Sequence, residues 1–408
     1  MALPVSNWRR TLFFIFVLAL LTRGAFILTQ QDGFYFPDST IYSQAAVNLL
    51  TTGDLGATYQ RAPAYPVFLA AVYAFLGEST FAIRAVESFI GAFLAVVIAV
   101  IGRRVGGKIA GALAGIIWAV YPMGVFIAGL VYPTGLCAML LACGVWCLLP
   151  LPKQELSAKG IFAGGVFFGL AALTIPVALL TIVVIDVWVL YWSRHSRFLL
   201  ASLLFLGSAL VLAPWTARSL LVHGQLVAIQ PSAERHLPRI RTGQSHDRDD
   251  KVGAILQRPD LYLAHFGRQF LGFWELYPER ITMSRPGFRE RWNERDPRVV
   301  RNTIYTPNPL INIISLLSTG PVFLFAILGA GAMCLKREWR NLSMLLAMIF
   351  SFAVGYALFV GKMRYRIPIE PYVIILSAYG MARTWKYLSR KRACGIFPDI
   401  RNMEQTKP

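Results

Sequence analysis

The chain has 408 residues, 56% hydrophobic and 15% charged, with a formal net charge of +19. A soluble domain carries about 25% charged residues, so these figures exclude an ordinary soluble protein and point to a polytopic membrane protein. The Lys and Arg residues sit beside apolar runs, where they anchor helices at an anionic membrane face, which speaks against nucleic acid as a partner.

The first apolar run, 11–29, follows Arg9-Arg10, carries Arg23 and is not followed by a small-residue cleavage pattern. It reads as an uncleaved first span. Next comes the first polar segment, Asp38 to Pro66. From Asp38 the apolar residues Ile41, Ala45, Ala46 and Leu49 recur at helical spacing, with Ser43, Gln44 and Asn48 between them. This predicts a short amphipathic helix lying in the membrane interface, with Asp38 in its first turn. An Asp there has two uses: a cap for free backbone N–H groups, or a carboxylate displayed at the membrane surface. Asp54, beside Gly53, reads as a turn residue.

Further spans are predicted at 81–102, 109–125, 132–151, 160–173, 176–192, 198–215, 309–335, 342–360 and 366–387, ten with the first. The apolar stretch Pro66–Leu76 is too short to span comfortably. The positive-inside rule decides how it counts. Placing Arg9-Arg10, Arg103-Arg104-Lys108, Lys153 with Lys159, Arg194 with Arg197, Lys336-Arg337 with Arg340, and 386–392 on one side leaves a single crossing between Arg61 and Arg103. Pro66–Leu76 is then an embedded or interfacial helix of the outer loop. Both termini come out cytoplasmic. Asp38, Arg61, Arg84, the Tyr132-Pro133-Thr134 corner, the Thr174-Ile175-Pro176 break, the 216–308 loop and Arg364–Arg366 all fall on the outer face.

The expected organisation is a membrane module over 1–215, with a first outer loop at 30–80, an extracytoplasmic loop at 216–308, C-terminal helices over 309–387, and a cytoplasmic tail at 388–408 that lacks apolar periodicity. The long loop holds fifteen Lys/Arg against ten Asp/Glu, and long loops escape the positive-inside rule. Its stretch Pro259–Trp274 looks helical; a lid, an acceptor platform and a spacer all remain open as its role.

The order Asp38-x-x-x-Tyr42, then Gly53-Asp54, then Arg61-x-Pro63-x-Tyr65-Pro66 resembles the first outer loop of GT-C glycosyltransferases, in particular bacterial relatives of protein O-mannosyltransferases and of the aminoarabinose transferase acting on lipid A. Three further stretches are similar to that family: Pro214-Trp215-x-x-Arg218, Gly160–Pro176 with its Gly-Leu-Ala and Leu-Thr-x-Pro elements, and Arg364-Tyr365-Arg366-x-Pro368-x-x-Pro371 followed by 376–380. The resemblance implies an all-α GT-C bundle of about 10–11 transmembrane helices. It implies that Asp38 is the catalytic carboxylate and that Arg61 lies near the phosphate of a polyprenyl-phosphate sugar donor. The acceptor would be an envelope glycolipid, glycan or protein on the outer face of a bacterial inner membrane. The chain departs from the family at Thr134, where many relatives are acidic, and at Ile175, where many are basic. The first departure puts a divalent metal in doubt; the second removes one phosphate-binding candidate.

Sugar transfer from a lipid phosphate needs a base for the acceptor hydroxyl and cations for the leaving phosphate. Asp38 suits the first, and Arg suits the second because its fork pairs with phosphate and keeps its charge when partly desolvated. The outer-face candidates are Arg61, Arg84, Arg218, Arg364 and Arg366, with Tyr42 and Tyr65 beside them in the matched motif. The alternative for each Arg is snorkelling from a helix end. Arg84 with Glu87, and Arg366 with Glu370, also have the spacing to neutralise themselves. Asp186 lies mid-span with no partner visible, as a structural hydrogen bond or a protonated acid. The five cysteines and five histidines show no metal-ligand or disulfide spacing, so no metal site or other cofactor is expected. A secondary transporter or lipid flippase is the rival class; it predicts paired interrupted helices and ionisable groups at mid-membrane, where only Asp186 fits.

Overall fold

A computed structural model describes residues 7–56, 61–149, 156–193, 196–223, 258–277 and 309–393. The regular elements among them are helices: α1 (Trp8–Leu28), α2 (Pro37–Thr52), α3 (Ala64–Leu76), α4 (Thr80–Val120), α5 (Pro122–Ile127), α6 (Thr134–Leu148), α7 (Ala158–Thr174), α8 (Ala178–Trp192), α9 (Arg197–His223), α10 (Pro259–Phe273), α11 (Pro309–Leu335), α12 (Trp339–Ala357), a 3-10 turn (Met363–Ile369) and α13 (Glu370–Ala393). The chain is an all-α polytopic membrane protein, with a helix at each of the ten predicted spans. Five helices, α1, α4, α9, α11 and α12, are long and apolar enough to cross a membrane. The 13-residue α3 is about 20 Å long, short of a bilayer core, and packs on α2 and α4.

Two predicted spans share the single element α4. Gly107 has φ +87, a conformation open to glycine at no steric cost, and there the helix doubles back into a hairpin. Its arms lie close enough for the Trp118 indole to donate to the Gly91 carbonyl at 3.2 Å. The second arm stops at Val120 rather than near residue 125, because Pro122 holds Tyr121 in extended backbone (φ −68, ψ 117) and starts α5. The same constraint sets Ile175, before Pro176, at φ −136, ψ 112, and so separates α7 from α8 at the expected break. The last span also starts later than predicted. Residues 363–369 wind as a 3-10 turn containing Pro368, and α13 begins only at Glu370, because two prolines deny its approach a regular donor ladder. The helix expected in the long loop is α10; most of that loop, and the tail from 394, lie outside the described residues.

Arg23, mid-way along α1, is fully buried without an acidic neighbour. It donates to the carbonyls of Ala19 (3.1 Å), Ala119 (3.2 Å) and Trp118 (3.3 Å), the last two lying in the final turn of α4, where helix carbonyls need partners from outside the ladder.

The bundle has two chemically distinct ends. At one, Arg103 lies over the Trp8 ring at 4.8 Å, Arg104 donates to the carbonyls of Trp146 and Leu149, the Tyr379 ring lies against Gly106, and the Tyr379 hydroxyl donates to Glu338 at 2.8 Å. The other end gathers α2, α3, the corner around Tyr132, α10 and the 3-10 turn. Among the described residues, Arg103 and Arg104 of the predicted inner set thus lie at one end, and Asp38, Arg61, Arg84, Tyr132 and Arg364 of the outer set at the other.

Candidate active site

Pro37 opens α2, and the N-cap, Phe36, offers no side-chain cap. Asp38 does not cap the helix either; its carboxylate is engaged by other elements. Arg61 Nη2 donates to Oδ1 at 2.9 Å, with both side chains about 30% exposed, and the Tyr132 hydroxyl donates to Oδ2 at 3.3 Å. One carboxylate therefore joins α2, the segment before α3 and the corner before α6, while keeping access to the surface.

Arg61 also donates from Nη1 to the Tyr42 hydroxyl at 3.4 Å, and its guanidinium lies 5.3 Å from the Tyr42 ring centroid. Asp38 and Tyr42 are four apart, so one turn of α2 brings both to the same face. Tyr65 stands edge-on to Tyr42 at 5.3 Å. Burial raises the Tyr42 phenol above its ordinary value, with Arg61 opposing and Asp38 adding, so the hydroxyl stays protonated at neutral pH. Burial alone would disfavour the Arg61 cation, but Asp38 and Tyr42 outweigh it and raise the pKa.

Arg364, from the 3-10 turn, closes the far wall. Its guanidinium lies 5.3 Å from Phe36, 5.5 Å from Tyr132 and 5.0 Å from Tyr365, and it donates to the Tyr365 hydroxyl at 3.1 Å. A cation held by three aromatic rings is stabilised without an ion pair. Burial opposes its charge, yet Tyr132, Tyr365 and Asp38 together raise its pKa. Its buried Nε has no hydrogen-bond partner. Tyr365 stacks on Tyr356 at 4.5 Å, and Tyr356 stacks on Phe273 of α10 at 6.1 Å, so a helix of the long loop backs the wall.

The remaining arginines lie outside this cluster. All three nitrogens of Arg84 donate to backbone carbonyls: Nε to Gly129 (3.0 Å), Nη1 to Gln31 (2.8 Å) and Nη2 to Gly33 (2.6 Å). It does not pair with Glu87, which instead accepts from the Tyr65 hydroxyl at 2.6 Å. Arg366 is fully buried, paired with Glu370 and bonded to the carbonyls of Phe273 (3.1 Å) and Glu275 (2.9 Å). Arg218 pairs with Asp54 and lies over Trp215, tying the Gly53-Asp54 turn to the end of α9. Asp54 is thus a turn residue, bonded to the Leu55 amide at 2.6 Å, and also an ion-pair partner. Asp186 Oδ1 in α8 is buried without a partner.

Sequence reasoning placed Tyr132 and Tyr365 at this end without assigning them to the site, passed over Phe36 and Tyr356, and took Glu87 only as a partner for Arg84. The available signals were an aromatic directly before Pro133, one between two arginines, and a carboxylate one turn after Arg84. Asp38 has both oxygens engaged, Thr134 brings no carboxylate, and no cluster of three His, Cys, Asp or Glu forms among the described residues.

A bundle of membrane helices carrying a carboxylate and two arginines in an aromatic setting at one end has the fold of the GT-C membrane glycosyltransferases. Its similarity to solved structures covers nearly the whole chain. The apo oligosaccharyltransferase of Archaeoglobus fulgidus matches at TM-score 0.57 and 13% identity, over 94% of this chain and 52% of that one. The same organism's AglB, in complex with an inhibitory peptide and a dolichol-phosphate, matches at 0.57 and 15%, over 94% and 51%. ArnT from Cupriavidus metallidurans, bound to undecaprenyl phosphate, matches at 0.53 and 16%, over 95% and 63%. The chain thus spans about half to two-thirds of the length of these proteins. Residues 60–217 match the model of the dolichyl-phosphate-mannose-protein mannosyltransferase family. The protein shares the fold of these membrane proteins, and over residues 60–217 it is similar to the mannosyltransferase family. No curated protein matches it in sequence.

Proposed function

We propose that the protein is a glycosyltransferase that moves a sugar from a polyprenyl-phosphate donor to a hydroxyl of a glycolipid, glycan or protein at the outer face of a bacterial inner membrane. The observation that carries this reading is the Asp38 carboxylate held between Arg61 and Tyr132, with the caged Arg364 alongside. Asp38 takes the proton of the acceptor hydroxyl as its oxygen attacks the anomeric carbon. The bond from that carbon to the phosphate oxygen breaks, and the pair leaves on polyprenyl phosphate. Arg61 and Arg364 neutralise the charge gathering there, in a setting where preorganised cations act more strongly than in water. Attack in one displacement inverts the anomeric centre. The relatives' dolichol-phosphate and undecaprenyl phosphate ligands support the lipid carrier; the positive-inside pattern supports the outward orientation.

Mass spectrometry of envelope glycolipids and glycoproteins, with and without the gene, identifies the product. One sugar-modified species should vanish on deletion, return with the wild-type gene, and stay absent with Asp38→Asn. An unchanged envelope glycome would overturn the reading.

A further inference from the structure

Beneath the site, in the first arm of α4, lies a carboxylate to which the proposed chemistry gives no task. Glu87 is buried, and it reaches both partners of Asp38 by separate routes. On one side Tyr65 donates to its Oε1 at 2.6 Å. The Tyr65 ring meets Tyr42 edge-on, Tyr42 accepts from Arg61, and Arg61 holds Asp38 Oδ1. On the other side the carboxylate is near enough to the backbone N–H groups of Tyr132 and Val131 to interact with them electrostatically, without a hydrogen bond to either, and its buried Oε2 has no partner. Tyr132 then donates from its hydroxyl to Asp38 Oδ2.

The corner that carries Tyr132 is strained. Val131 has φ +54, and a β-branched residue is strained in the left-handed region, so the surroundings must over-determine it. The same helix supplies the restraint from two successive turns. Arg84 grips the Gly129 carbonyl at 3.0 Å, and Glu87 acts electrostatically on the amides of Val131 and Tyr132. Ser39 adds a third tie, donating to the Leu130 carbonyl at 3.2 Å.

We propose that Glu87 is a positioning residue for Asp38, fixing Arg61 through Tyr65 and Tyr42 and fixing Tyr132 through the strained corner, so that both hydrogen bonds to the carboxylate are set before substrate arrives. This rests on Asp38 acting as the base. An ångström of misplacement at a reacting group costs up to about a hundredfold in rate, so small changes at Glu87 are transmitted without contact with substrate.

The test uses the full-length protein in detergent, with lipid extract of the producing cells as donor pool and release of polyprenyl phosphate as the readout. Tyr65→Phe, which removes one hydroxyl, and Glu87→Gln should each lower kcat about tenfold. Binding of undecaprenyl phosphate should stay within about twofold of wild type and the unfolding temperature should be kept. In a Tyr65→Phe/Tyr132→Phe background, Glu87→Gln should add less than about twofold, because partners in one network do not add. Wild-type turnover in Tyr65→Phe, or a full additional loss from Glu87→Gln in that background, overturns the proposal. If Glu87→Gln does not fold, Tyr65→Phe decides alone. Asp38→Asn run in parallel separates the two readings. Activity in that variant removes the base itself, whereas its inactivity beside an unaffected Tyr65→Phe removes only the role of Glu87.

Discussion

Arg364 and Arg366, two residues apart on one 3-10 turn, are held in opposite ways: Arg364 by aromatic rings beside Asp38, Arg366 fully buried against Glu370. Their substitutions should therefore fail differently. Arg364→Ala should leave the protein folded and weaken undecaprenyl phosphate binding at least tenfold, since a charge-assisted phosphate contact contributes about 1.5–3 kcal/mol. Arg366→Ala leaves Glu370 buried without its partner, a loss of about 3–5 kcal/mol, and should remove folded protein. Thermal unfolding in detergent together with lipid-phosphate binding distinguishes them; the same outcome for both variants refutes the division.

Asp38→Asn preserves shape and removes the base, so turnover should fall about a hundredfold or more while the protein still folds. Asp54 is the control. Its Asn variant loses a half-exposed ion pair with Arg218, a contact contributing at most about 1 kcal/mol, and should stay active. Polyprenyl phosphate release by the two purified variants reads this directly. A normally expressed and active Asp38→Asn enzyme contradicts the assignment.

At the inner end, Arg103 lies over Trp8, and Arg103→Ala should leave donor binding unchanged, whereas Arg61→Ala should weaken it. Equal effects on undecaprenyl phosphate titrations would make Arg61 an ordinary anchor.

The docking of α10 depends on a close approach. A Cβ on Gly361 would stand 1.8 Å from the Gln269 carbonyl oxygen, where the Gly361 amide donates to the Gln269 side chain at 2.9 Å. Gly361→Ala should push α10 off the end of α12 and loosen the stack from Phe273 through Tyr356 to Tyr365. Faster hydrogen exchange across 259–273 and weaker donor binding are the expected results. Unaltered exchange would show that α10 does not depend on this contact.

Single-cysteine variants at 38 and 103, labelled from outside intact cells, fix the sidedness. Position 38 should react and position 103 should not; the reverse pattern inverts the orientation proposed here.

Hydropathy and charge alone determined that this chain is a helical membrane bundle, where its ten apolar spans lie and which residues share an end. Those properties depend on the length of apolar runs and on where cations stop them, both local in sequence. Prolines likewise marked the break between α7 and α8. The tertiary structure decided which of five outer-end arginines stand beside Asp38. Arg84 and Arg364 look alike in sequence, but only packing sets three backbone carbonyls around one and three rings around the other. It also decided that Asp38 meets Tyr132, 94 positions away, and that Glu87 turns from Arg84 to Tyr65. A side chain's role at a helix end follows from what surrounds it, and those neighbours come from distant segments that no local pattern in the sequence specifies.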